Sequence, residues 1–176
     1  MGLEHALLVA LAERPAAGAD LARRFERSIG YFWSATHQQI YRVLGRMEGD
    51  GWVAASEHAQ ADRPTRKVYA ATALGREALA AWLAEPTGVT PLRSDLAVKL
   101  RGAAYGDRAQ VRAMVEGARA DHVLRLEHWR SLAKTDFPDP AALTGADLDH
   151  HLVLRGGILL EEAQVAWLTE YLEAQP

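Results

Sequence analysis

The stretch "THQQIYRVLGRMEGDGWV", Thr36 to Val53, decides how the chain is read. Ile40, Val43, Leu44 and Met47 recur at the spacing of one face of an α-helix. The opposite face carries Gln38, Arg42, Gly45 and Gly49, with Arg46 at its edge, and no carboxylate precedes Glu48. Thr36 stands three residues before Gln39, the capping-box pattern that starts a helix. Gly51 suits the left-handed position that ends one, and Trp52–His58 then reads as a strand. The segment is therefore expected to bury an apolar face and present an acid-free polar face outward.

Working outward, Leu3, Ala6, Leu7, Ala10 and Leu11 predict a first helix, which Pro15 stops. A short second helix is expected near Ala19–Arg27, with Leu21, Ala22 and Phe25 inward and Arg23, Arg24 and Arg27 outward. "AQADRPTR" (59–66) reads as a polar loop and "KVYAA" (67–71) as a second strand. Thr72 can cap a fourth helix with a stripe of Leu74, Ala78, Ala81 and Trp82. Three helices, a hairpin with a polar tip and a fourth helix make a winged helix-turn-helix. The third helix would then be the element that enters a major groove, which admits one helix. Gln pairs with adenine and Arg with guanine in that groove, and carboxylates there would repel phosphates. Thr36, Gln38, Gln39, Tyr41, Arg42 and Arg46 are the candidate contacts from the helix, and Arg63, Arg66 and Lys67 from the wing tip. Gln39 has a competing task in the capping box, which favours Gln38 as the base reader.

"AEPTGVTPLR" (84–93) breaks helical periodicity on both sides, so domains are expected at 1–86 and 87–176. Residues 1–86 hold ten basic and ten acidic side chains; the rest hold ten and thirteen, which gives the net charge of -3. The chain is no general polyanion binder, and a nucleic-acid role must rest on a local patch. The second part reads as three helices: one near Ser94–Tyr105, one from the Asp107 cap to about Lys134, and one over Asp147–Glu173. Val111, Val115, Ala118, His122, Leu126 and Trp129 form a stripe on the second of these. Leu154, Ile158, Val165, Leu168 and Leu172 form one on the third, with Leu148, Leu152, Leu159 and Ala166 as another. Apolar surface that wide calls for more than one neighbour. Val111, Val115, Leu126, Leu154, Ile158 and Leu168 are the candidate dimer residues.

"GYFWSATHQQIYRVLGRMEGDGWV" followed by "RKVYAATALGREAL" resembles the PadR-type transcriptional regulators. Trp33, Gln39, Ile40, Tyr41, Leu44, Glu48, Asp50, Gly51, Tyr69, Thr72 and Gly75 carry the likeness. "RGGILLEEAQVAWLTEYLE" is a looser match to the helical dimerisation region of the larger subgroup. Two positions depart from the pattern: Ala19, where an aromatic is usual, and Ala71, where a large aliphatic is usual. The resemblance implies a homodimeric repressor of operator DNA, and a sequence with no signal-peptide layout and no bilayer-length apolar run is expected to be cytoplasmic. Gln39, Tyr41 and the basic wing positions would touch DNA, with Tyr41 either bonding a phosphate or packing as a core side chain. It also implies a flat aromatic or amphipathic effector near Trp129 or Trp167, unless those indoles simply anchor the dimer core.

Other chemistry finds little support. The chain has no cysteine, so thiol catalysis, disulfides and cysteine-ligated metals are excluded. None of the seven histidines has zinc spacing, no glycine-rich loop follows a strand, and no acid pair suggests a catalytic cleft. Glu161 and Glu162 read as a solvated helix face, and His122 as a satisfied core or interface histidine. No metal, cofactor, enzyme activity or membrane span is expected. Gly156–Gly157 inside a good helix asks for close approach of another helix or a kink. The competing class is a winged-helix scaffold for protein contacts, which should expose aromatic or aliphatic side chains where this chain shows Gln and Arg.

Overall fold

The computed structural model describes residues 2–27, 35–60, 63–88 and 93–175; for 25–27, 58–60 and 63–66 only the backbone is described. Trp33 therefore lies outside the described residues, as do the side chains of Phe25, Arg27, Arg63 and Arg66. The chain is mainly helical and divides into two compact units, Met1–Val89 and Thr90–Pro176.

The first unit runs α1 (Leu3–Glu13), β1 (Ala16–Ala17), α2 (Gly18–Arg27), α3 (His37–Gly49), β2 (Val53–Gln60), β3 (Arg63–Ala71) and α4 (Ala73–Leu83). Leu7, Leu8, Leu11, Leu21, Ile40, Leu44 and Met47 are fully buried and form its core, closed below by Val53, Tyr69 and Ala71. Leu8 joins this core although it lay off the α1 stripe read from the sequence. The pair at α1–α4 is aromatic: His5 stacks on Trp82 with ring centroids 4.8 Å apart and leans on Trp52 at 5.8 Å. On α4, Gly75 and Leu79 face inward while Leu74 and Ala81 are exposed, which rotates the buried stripe from the expected one. The Thr72 hydroxyl caps this helix by accepting from Gly75 N at 3.0 Å.

The sheet has three strands in the order β1-β3-β2, all antiparallel, where two were expected. β1 is two alanines, too short to leave a periodic signal, yet it pairs with Val68 and Tyr69. The wing is also longer than read. Most of the expected loop 59–66 is strand, with His58 opposite Arg66 and Gln60 opposite Arg63 across an irregularity. Pro64 is tolerated there because β1 pairs β3 only further along, leaving one edge of β3 free at Pro64.

The second unit holds α5 (Asp95–Arg101), a 3-10 turn at Ala103–Tyr105, α6 (Arg108–Asp136), a second 3-10 turn at Pro140–Ala142 and α7 (Gly145–Ala174). Asp107 caps α6 by accepting from Ala109 N at 2.8 Å. α6 and α7 form an antiparallel hairpin, tied by Arg119 Nε to Thr169 Oγ1 at 2.7 Å and by Arg130 to Glu162 at 2.8 Å. Gly157 explains its own presence, because a Cβ there would overlap the six-membered ring of Trp129. Trp129 thus sinks to 4% exposure against α7.

Candidate nucleic-acid interface

Helix α3 is fixed at its start by both halves of the capping box. The Thr36 hydroxyl accepts from Gln39 N at 3.2 Å, and Gln39 Oε1 accepts from Thr36 N at 2.8 Å. The helix ends at Gly51, whose φ of +73° is the left-handed conformation that glycine adopts without strain. Ile40, Val43, Leu44 and Met47 are buried, which turns Gln38, Arg42 and Gly45 to solvent.

The candidate contacts then separate by what they already hold. Gln39 is engaged at the cap. Arg46 donates to Glu4 Oε2 on α1 at 3.0 Å, a neighbour no local pattern reveals. Gln38 and Arg42 are exposed and make no hydrogen bond or ion pair among the described residues. Tyr41 is 45% exposed, and its ring lies over Gly18, where a Cβ would overlap Cε1. The same Cβ would stand 3.1 Å from the Tyr41 hydroxyl, so the absent side chain of Gly18 is what seats this end of the ring.

Lys67 is not at the wing tip. It lies within β3 opposite Glu57, and its ammonium donates to Glu48 Oε2 at 2.7 Å. It also stands 5.4 Å from the centroid of the Tyr69 ring. The bond to Glu48 raises the Lys67 pKa above the usual lysine range, so the charge is retained at any physiological pH. Arg63 and Arg66 lie nearer the hairpin turn, in the first half of β3. Arg24, expected to point outward from α2, instead donates to Ala10 O at 2.6 Å and Arg14 O at 3.2 Å. It serves the carbonyl end of α1, where a cation is favoured.

In the hairpin, four of the six candidate dimer residues are used within a single chain. Val115, Leu126, Ile158 and Leu168 are buried between α6 and α7, while Val111 and Leu154 are half-buried there. The expectation that this stripe awaits a partner is corrected: the helices cover it themselves. The uncovered apolar face of α7 carries Leu152, Val153, Leu159, Leu160 and Trp167, all exposed; it shares Leu152 and Leu159 with the second stripe expected there, whose Leu148 is half-buried. Glu161 is likewise not a solvated acid. It is 6% exposed and bonded to His122 Nδ1 at 2.5 Å and Arg125 Nη1 at 3.0 Å, which satisfies it. Of the two candidate effector residues, Trp129 is packed and Trp167 is 37% exposed. A pocket of about 270 Å³ lined by Arg108, Val111, Arg112, Tyr171 and Leu172 touches neither. No group of three or more potential metal ligands occurs among the described residues, and none of their helices is long and apolar enough to cross a membrane.

An acid-free helix face beside a β-ribbon is the arrangement of a winged helix-turn-helix regulator. The pattern of the transcriptional regulator PadR-like family matches residues 7–81, and that of the virulence activator alpha C-terminal family matches 92–175. The chain is 51% identical over 184 residues to the Mycobacterium tuberculosis (strain ATCC 25618 / H37Rv) protein named "Probable transcriptional regulator Rv1176c", covering 99% of this chain and 97% of that one. The structure of the Vibrio cholerae virulence activator AphA is similar with a TM-score of 0.82 at 29% identity, over 98% of this chain and 97% of that one. Bacillus subtilis PadR, named a negative transcriptional regulator, is 24% identical over 174 residues, 97% of this chain and 95% of that one. Its structure with operator DNA superposes with a TM-score of 0.87 at 23% identity over 98% of both chains. Its structure with p-coumaric acid gives 0.81 at 22%, over 98% and 97%. The chain belongs to the PadR-like family of transcriptional regulators and is not an enzyme.

Proposed function

We propose that this regulator is a homodimeric repressor. Residues 1–86 would read double-stranded operator DNA, and 87–176 would hold two copies together. The observation that carries the reading is the outward face of α3, where Gln38 and Arg42 stand exposed and uncommitted on a helix fixed at both ends. Those two side chains are assigned to base edges, the Tyr41 hydroxyl to a phosphate, and Arg63 and Arg66 to the wing contact. Thr36 and Gln39 hold the helix start. A docking face for protein would be expected to show apolar side chains, and α3 exposes only the edge of Tyr41.

The dimer is assigned to the uncovered stripe of α7. Leu152, Val153, Leu159, Leu160 and Trp167 lie on it, and Gly156 and Ala163 run along its centre. No atom comes within 4 Å of a Cβ built at Gly156, so a second α7 has room to approach the backbone there. Gly157 thus makes room for Trp129, and Gly156, roughly a third of a turn away, leaves open space on the exposed side. Repression needs only occupancy of a promoter, and the name of the Bacillus subtilis relative agrees with it. Release is assigned to an aromatic or amphipathic molecule that meets Trp167, the accessible indole.

Selection of bound fragments from genomic DNA by the full-length protein tests the reading. The expected product is a near-palindrome with half-sites roughly 34–36 Å apart. Sedimentation should show a dimer, and phenolic compounds should quench tryptophan fluorescence while releasing DNA. A monomer bound tightly to a single half-site would contradict the proposal.

A further inference from the structure

Lys67 and Glu48 occupy the root of the wing. Along the ladder, Val53 pairs with Ala71, Ala55 with Tyr69 and Glu57 with Lys67. Strand alternation puts all six on one face of the sheet. Val53, Tyr69 and Ala71 are buried on that face, so Lys67 and Glu57 lie on its core side, one step beyond the core. Lys67 is therefore directed at α3, where it meets Glu48 at 2.7 Å with Tyr69 beside it. Glu48 lies in the last turn of α3, an end where an acid is disfavoured by the helix dipole and a nearby cation offsets the cost.

The place matters because the sheet changes there. β1 pairs β3 only at Val68 and Tyr69, so everything from Lys67 toward the turn is a two-stranded ribbon. Such a ribbon is marginal by itself and free to twist. The ladder is irregular between His58 and Gln60, just past Lys67's partner Glu57. Lys67–Glu48 thus ties the ribbon to the recognition helix where its support from a third strand ends.

We infer that this pair is a strut that sets the pitch of the wing against α3, and that Lys67 is a positioning residue, acting on DNA through Arg63 and Arg66 and not by touching a phosphate. The inference rests on the DNA-binding reading above. Glu48 occupies the ammonium, and Glu57 across the ladder adds a second carboxylate that a phosphate would have to approach. Exposed ion pairs add little to global stability, so loss of the pair should be felt in wing geometry and not in folding.

The test compares Lys67→Met, Glu48→Gln and Lys67→Arg, each alone and in an Arg63→Ala/Arg66→Ala background, on a DNA fragment selected by the wild type. The strut predicts that Lys67→Met and Glu48→Gln weaken binding alike, that Lys67→Arg restores it, and that neither loss adds to the wing double variant. If Lys67→Met weakens binding in that background and lowers the salt slope by about 0.9, the value for one phosphate, while Glu48→Gln tightens binding, the strut is overturned. Unchanged binding in both variants overturns it too. Amide exchange reads the strut without DNA and so apart from the DNA-binding reading. Glu48→Gln should speed exchange over 57–66 and spare Val53–Ala55, whereas identical exchange over 57–66 would refute the strut.

Discussion

The two units treat their apolar residues differently. In the first, α1, α3 and the sheet enclose Leu7, Leu8, Leu11, Leu21, Ile40, Leu44 and Met47 completely, and among the described residues the large apolar side chains left exposed are Tyr41, Leu74 and Leu83. In the second, the α6–α7 hairpin covers Val115, Leu126, Trp129, Ile158 and Leu168 but leaves Leu124, Leu152, Val153, Leu159, Leu160 and Trp167 in solvent. Two long helices in contact have one shared seam, so an apolar helix wider than that seam stays half-covered. A unit with a closed core can present a polar face to DNA. On the proposed reading, a unit with an open one meets the same surface of a second copy.

The comparison breaks most visibly at α7. If the proposed dimer forms through α7, Leu159→Glu with Leu160→Glu should separate it and weaken operator binding by about 10²–10⁴-fold, because engagement of the second half-site is no longer intramolecular. The melting of the hairpin should barely change in far-UV circular dichroism at low concentration. By contrast, Leu168→Glu lies at the buried seam and should unfold the hairpin itself, so the two variants distinguish the faces. On the first unit, Arg42→Ala and Gln38→Ala should each cost about 1–3 kcal/mol in operator affinity and leave the melting temperature alone. Titration of labelled operator at fixed salt measures both. Gly157→Ala forces Trp129 outward and should destabilise the second unit by about 1–3 kcal/mol without touching the first, a shift visible in thermal melts. The smallest expected effect is Thr36→Ala, which removes the α3 cap at about 1 kcal/mol and weakens DNA binding only as far as α3 frays.

Legibility in the sequence followed the range of the interaction. The capping box at Thr36, the positive φ at Gly51 and the Asp107 cap are contacts within a few residues, and each stood where the pattern put it. The acid-free face of α3 was legible for the same reason. Contacts between distant segments were not. Nothing near Arg46 announces Glu4, nothing near Arg24 announces the end of α1, and nothing near Glu161 announces His122 and Arg125. Lys67 was grouped with Arg63 and Arg66 although its segment was read as a strand; the alternation of that strand fixes the side to which Lys67 points, and its meeting with Glu48 is again a contact between distant segments. The stripe on α7 was seen correctly as too wide, but periodicity alone cannot tell which half the neighbouring helix of the same chain covers.

The central claim is that α3 reads base edges through Gln38 and Arg42. The most direct measurement is the affinity of wild type and Arg42→Ala for every single-base variant of the selected operator. The account predicts that Arg42→Ala flattens the preference at one G·C pair in each half-site, by about 1–3 kcal/mol, and keeps the preferences elsewhere. A preference profile identical to that of the wild type would contradict it.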